Sequence, residues 1–121
     1  MPDFLLASAG FLGASGVALG AFGAHGLKGR LGASLPIWET AVQYHLVHAL
    51  FCLAIALALR AGAPPSLKPA AWFALVGVVL FSGSLYALAL GGPRWLGPIT
   101  PLGGLAFLLA WGALVVQGLR T

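Results

Sequence analysis

The sequence predicts an all-α integral membrane protein, a bundle of four transmembrane helices joined by short connectors. Three observations carry this reading. Residues 4–24, 37–59, 70–90 and 102–119 each form an apolar run of bilayer-crossing length, since roughly 20 residues at 1.5 Å rise cover ~30 Å of hydrocarbon. Charged side chains make up only 7% of the 121 residues, against about a quarter in a soluble domain. The gaps between the runs hold the helix breakers Pro36, Pro64-Pro65, Pro69, Gly91-Gly92-Pro93 and Pro98. Spans and connectors use all of residues 1–121, so one four-helix domain is expected, with no soluble catalytic module beside it.

The first span begins after Asp3, where a secretory signal would carry Lys or Arg, and its apolar run continues far past the small Ala7-Ser8-Ala9 stretch. It therefore reads as a retained membrane helix rather than a cleaved leader. Ala9, Gly13, Gly16, Gly20 and Gly23 fall on one face of it, and Gly103, Ala106, Ala110 and Ala113 repeat the device in the fourth span. Small residues at this spacing let backbones approach closely. The expectation is that the first and fourth helices pack through these faces within the chain; the alternative use of the same faces is a homo-oligomer seam.

The first connector carries Lys28 and Arg30 and a glycine every third residue from Gly20 to Gly32. One reading is a backbone cradle that, with Lys28 and Arg30, contacts a lipid headgroup; the preferred one is a tight return between two helices. The six basic residues divide evenly, with Arg60, Lys68 and Arg120 on the side of the termini and Lys28, Arg30 and Arg94 opposite, which leaves orientation unset. None are clustered, so the positive charge points to headgroups and not to nucleic acid. Trp38, Trp72 and Trp95 stand near span ends, where indole favours the interface, and Trp111 stands mid-span, where packing inside the bundle is expected.

The second span is the informative one. Glu39, Thr40, Gln43, Tyr44, His45 and His48 interrupt an otherwise apolar helix. Thr40, Tyr44 and His48 form one ridge at successive i, i+4 steps, while Glu39 and Gln43 form a stripe roughly opposite. Ionisable groups at membrane depth are costly and mark candidate sites. His48 lies deeper than Glu39, and the preferred reading gives it a hydrogen-bonding partner among Ser82, Ser84 and Tyr86 of the third span. The alternative makes His48 or Glu39 a protonatable group in a transport path.

Metal ligation by His45, His48 and His25 lacks the three or four convergent ligands such sites use. Asp3 and Glu39, the two carboxylates, fall at opposite ends of the bilayer, which excludes a catalytic carboxylate pair. No catalytic, cofactor or metal residue is assigned. The residues predict a non-enzymatic membrane protein with a structural or interaction role, toward lipid or a partner, and a small transporter or channel as the alternative.

Four motifs in order, Gly20-Ala-Phe-Gly-Ala-His-Gly-Leu-Lys28, Trp38-Glu-Thr-Ala-Val-Gln-Tyr-His-Leu-Val-His48, Phe81-Ser-Gly-Ser-Leu-Tyr86 and Gly97-Pro-Ile-Thr-Pro-Leu-Gly-Gly104, together resemble one family. It is the domain of unknown function 423 family of small bacterial multi-pass membrane proteins, similar to animal transmembrane protein 256. The resemblance covers essentially the whole chain. It implies four helices in the cell (inner) membrane and carries no activity with it. It also ranks His25, Tyr44, His48, Ser82, Ser84, Tyr86 and the Thr100-Pro101 turn above His45, which falls where the family is expected to vary.

Overall fold

A computed structural model describes residues 2–121. Four long helices cross the chain: α1 (Phe4–Ala24), α2 (Leu35–Arg60), α3 (the continuous segments Lys68–Gly77, Val78–Ser82 and Gly83–Ala89) and α4 (Ile99–Arg120). Among the described residues there is no strand. All four spans are long and apolar enough to cross a membrane.

Local chemistry sets the ends. The Asp3 carboxylate accepts from the Leu6 N–H at 3.0 Å and so caps α1. Pro36 sits in the first turn of α2, where its missing N–H costs nothing. Gly62 and Gly91 take φ of 102° and 92°, a region that L side chains rarely enter. They close α2 and α3 in the same way. Ala63 N–H donates to the Ala58 carbonyl at 2.9 Å and Gly62 N–H to Leu59 at 3.1 Å. Gly92 N–H likewise donates to Ala87 at 2.8 Å and Gly91 N–H to Leu88 at 3.0 Å, the double-bonded ending of the Schellman motif. Pro64 and Pro93 follow at once and prevent either helix from continuing.

Antiparallel neighbours in sequence are neighbours in space. α1 packs along α2, α2 along α3, and α3 along α4. This corrects the expected pairing of α1 with α4: both small-residue faces are used, each against the helix next to it in the chain. Room for a side chain at Gly16 is taken by Leu46 and His45, at Gly20 by Val42, and at Gly23 by the Trp38 indole. Across the bundle, Phe107 occupies the space beside Gly77, and Gly103 lies directly on the Phe81 backbone. Connectors this short turn each helix straight back on its predecessor, so the closest approach is won by consecutive pairs.

Two tryptophans depart from expectation. Trp38 is 3% exposed, its indole N–H donating to the Leu19 carbonyl at 2.8 Å in the gap left by Gly23. It is a core residue and not an interface anchor. Trp111 is 45% exposed, half outside the bundle.

The first connector is a folded cap. Residues Lys28–Leu31 form one helical turn whose Leu31 is buried with Trp38 and Ala89, while Lys28 and Arg30 stay exposed. Two backbone bonds make the return tight: Leu27 N–H donates to the Phe22 carbonyl of α1 at 2.7 Å, and Leu31 N–H to the Leu27 carbonyl at 2.9 Å. On the other side of the bundle, Arg60 meets Asp3 at 3.3 Å and Ser66 donates to Gln117 at 2.8 Å, which gathers both terminal helix ends and the second connector.

α3 is not uniform. Between Val78 and Ser82 it widens into a π-helical turn, a feature that recurs at constrained sites within helices. Here α3 is held from two sides, by the Ser82 hydroxyl donating to the Ala41 carbonyl of α2 at 2.8 Å and by Gly103 of α4 against Phe81.

Gly103→Ala places a methyl group within 2.7 Å of the Phe81 Cα, where backbone must move, and is expected to cost about 1–3 kcal/mol as overpacking does. Gly112→Ala meets nothing within 4 Å and should hold or slightly raise the melting temperature, because alanine is the better helix former. Equal melting temperatures for the two variants in detergent would contradict the α3–α4 seam.

The capping bond from Leu6, aided by Arg60, holds the Asp3 carboxyl below its ordinary value of 3.8. A carboxyl whose folded value lies below its unfolded one adds stability above the unfolded value and loses it as pH falls through the folded one. The wild type should therefore exceed Asp3→Ala in melting temperature at neutral pH. The difference should shrink as pH is lowered through and below 4, with Asp3→Asn, which retains an acceptor for the cap, falling between them.

Candidate functional site

The polar residues of the spans converge on α2, and they do so along a seam of alternating three- and four-residue steps: Trp38, Ala41, His45, His48, Cys52 and Ile55, all buried. His45 is the hub. Its Nε2 lies 3.0 Å from the Ser15 hydroxyl of α1 and its Nδ1 2.8 Å from the Tyr86 hydroxyl of α3. The Ser15 hydroxyl donates to the Leu12 carbonyl at 3.2 Å, so it must accept from His45 Nε2–H. Nδ1 is then the acceptor for Tyr86 O–H. The protons run in one direction, from Tyr86 through His45 and Ser15 to a backbone carbonyl.

His48, one turn on, is held differently. A carbonyl only accepts, so the 2.8 Å bond to the Tyr44 oxygen puts the proton on Nδ1. Nε2 accepts from the Trp111 indole N–H of α4 at 3.1 Å. The ring stacks on Phe107, centroids 3.7 Å apart and planes within 10°. The expected partner of His48 on α3 is thus replaced by one on α4. Ser82 and Ser84 are engaged elsewhere: Ser82 with the Ala41 carbonyl, and Ser84 with the Phe81 carbonyl and the Thr100 hydroxyl at the start of α4. Tyr86 belongs to His45 instead.

The remaining candidates disperse. Tyr44 is 41% exposed, its ring against Phe81 and Phe107 and parallel to the His48 imidazole at 6.3 Å, while its carbonyl accepts the His48 bond. Glu39 and Gln43 line an outward cleft of about 270 Å³ beside Gly20 and Gly23. His25 is exposed at the end of α1, where its backbone N–H closes the helix onto Ala21. Lys28 and Arg30 stand on the exposed turn that follows. Among the described residues no three His, Cys, Asp or Glu side chains gather in a metal-holding group. Both histidines in the seam have each ring nitrogen in a hydrogen bond, which leaves neither with a free ligating lone pair.

All four sequence motifs lie within residues 19–104, which match the family model described as "Protein of unknown function (DUF423)". The chain belongs to this family. Among its relatives, "UPF0382 membrane protein YwdK" of Bacillus subtilis (strain 168) is 47% identical over 106 residues, covering 86% of each chain. A "UPF0382 membrane protein" of Haemophilus influenzae is 45% identical over 107 residues, covering 87% of this chain and 85% of its own. "UPF0382 inner membrane protein YgdD" of Escherichia coli (strain K12) is 40% identical over 118 residues, covering 97% and 90%. No solved structure matches the chain. Membership fixes a membrane protein of an uncharacterised family, with four apolar helices in one bundle.

The hydrogen-bond directions require opposite tautomers in adjacent turns, Nε2–H at His45 and Nδ1–H at His48. Nitrogen-15 chemical shifts of the two rings in reconstituted protein should separate accordingly, and like tautomers would refute the assignment. Ser15→Ala and Tyr86→Phe should each cost on the order of 0.6 kcal/mol and no more than about 2. They should also be non-additive, because both act on the same imidazole.

Proposed function

We propose that this protein is a non-enzymatic component of the cell (inner) membrane, whose intramembrane polar groups hold its own helices together while its outer faces meet lipid or a partner. The observation that carries this reading is the completeness of the pairing. Among the described residues no buried side-chain nitrogen or oxygen lacks a hydrogen-bond partner. An unpartnered buried group would instead mark a place for a ligand, ion or water. Here the buried histidines, serines and Tyr86 are directed at one another and at backbone carbonyls. The two carboxylates lie outside this network, Asp3 capping α1 and Glu39 exposed. Lys28 and Arg30, exposed beyond α1, are positioned to meet headgroups on that side. The inner-membrane location rests on the name of the Escherichia coli relative.

The test is flux against stability. Purified protein in liposomes carrying a pH-sensitive dye should dissipate an imposed pH gradient no faster than empty liposomes. His45→Ala and His48→Ala should lower the melting temperature, each by the equivalent of about 0.6–2 kcal/mol. A proton flux present in the wild type and abolished by His48→Ala would overturn the structural reading in favour of transport.

A further inference from the structure

On the side of the termini, opposite Lys28 and Arg30, the surface opens into a cleft of about 490 Å³ between the start of α1 and the facing ends of α2 and α3. Its polar rim is Asp3, Arg60 and Lys68, and its aromatic wall is Trp72. Phe4 lines this cleft and also a second, almost wholly apolar groove of about 410 Å³ that continues between α1 and α3. Ala7, Phe11, Leu75 and Val79 form that groove. From Phe4 to Leu12 it follows α1 for about 12 Å at the helical rise. The groove exists because α1 and α3 both pack on α2 and have no close backbone seam with each other.

We infer that this composite cleft binds one anionic glycerophospholipid, its phosphate at Arg60 and Lys68 and an acyl chain in the α1–α3 groove. Charge complementarity selects the occupant. Arg60 shares its charge with Asp3 at 3.3 Å and is 61% exposed, so it retains donors for a second anion. Lys68 has no carboxylate partner among the described residues. Two cations against one carboxylate leave a single positive charge, the complement of one phosphodiester. Basic residues at the membrane surface attract anionic lipid, and an indole beside them matches headgroup depth. The apolar continuation distinguishes a lipid from free phosphate, which has nothing to place there. The inference rests on the non-enzymatic reading above and gives its lipid contact a place and a headgroup charge.

Native mass spectrometry of the full chain, released from detergent with an equimolar mixture of phosphatidylglycerol and phosphatidylcholine, tests it. The wild type should retain one lipid per chain and prefer phosphatidylglycerol by about fivefold, the effect of one net charge near a membrane surface. Lys68→Gln should bring the preference to about unity. Asp3→Asn should raise it by about another fivefold, an opposite sign that mere damage to the fold would not produce. Lys28→Gln should leave it at the wild-type value. Ala7→Phe should weaken retention of both lipids without changing their ratio, since it fills the groove and not the rim. Equal retention of the two lipids by the wild type, or a Lys68→Gln preference unchanged from it, would overturn the proposal. So would displacement of the lipid by inorganic phosphate at matched ionic strength, which indicates a free-anion site, or a lipid-free dimer, which indicates that a second copy covers the groove. Flux is read in the separate liposome assay, so loss of lipid selectivity with no flux rejects the lipid site alone, and flux rejects the structural reading whatever the lipid result.

Discussion

His45 is the side chain on which the arrangement of the polar helices depends. One imidazole on α2 holds a hydroxyl from α1 at one nitrogen and a hydroxyl from α3 at the other, so three of the four helices meet at a single ring. In hydrocarbon no water can replace a lost partner, and each interhelical hydrogen bond lost costs on the order of 0.6 kcal/mol and up to about 2. The positions of α1 and α3 around α2 are therefore specified by geometry as well as by packing. Small-residue faces alone would allow helices to slide along each other by a turn at modest cost. A turn is about 5.4 Å, and a slip of that size would separate Ser15 and Tyr86 from His45. His48 completes the set by reaching α4 through Trp111, so two residues three apart on α2 engage the other three helices.

Packing explains why these bonds can form at all. Ser15 lies next to Gly16, whose missing side chain admits Leu46 and the edge of His45; a methyl group there would displace the Leu46 tip and press on the His45 ring edge at 3.3 Å. On the opposite flank, Gly77 gives room to Phe107, which stacks on His48 and carries it toward Trp111. Glycine and hydrogen bond are thus paired twice. Each close approach puts one polar contact within reach, and each polar contact fixes the register of one close approach.

Much of the fold was legible in the sequence because membrane depth is a length constraint. The four runs coincide with the four helices to within about three residues at either end, the ordinary uncertainty of helix ends. The helix pairing was not legible, since a small-residue face states that a partner comes close and does not state which one. The site was half legible. Its residues were identified, but the ridge chosen on α2, Thr40–Tyr44–His48, follows i+4 steps. The buried seam instead runs Trp38, Ala41, His45, His48, Cys52, Ile55, in alternating steps of three and four. That pattern is visible in the sequence and is the one that packed antiparallel helices use. Reading it would have moved His45 to the centre and Tyr44 to the lipid face. The Trp111 partner could not have been found this way, because it depends on α4 lying against α3 rather than α1.

The two histidines also show why spacing is a weak guide to metal chemistry in a helix bundle. At i, i+3 they point from the same face, yet their rings turn to different helices, one toward Ser15 and Tyr86 and the other toward Trp111. Ligating a common ion would require both to give up a nitrogen already in use. Ser15, Tyr86 or Trp111 would then lose a partner at membrane depth, and an ion must repay that loss before it binds at all. Histidine is suited to this structural role because it both donates and accepts within one rigid ring. Asparagine or glutamine offers the same two functions on a more flexible stem, whereas a hydroxyl donates and accepts through a single atom and so has a shorter reach. A polar residue in the middle of a membrane helix is therefore to be judged by what its atoms face on the neighbouring helices, and here they face the protein's own donors and acceptors on every side that geometry allows.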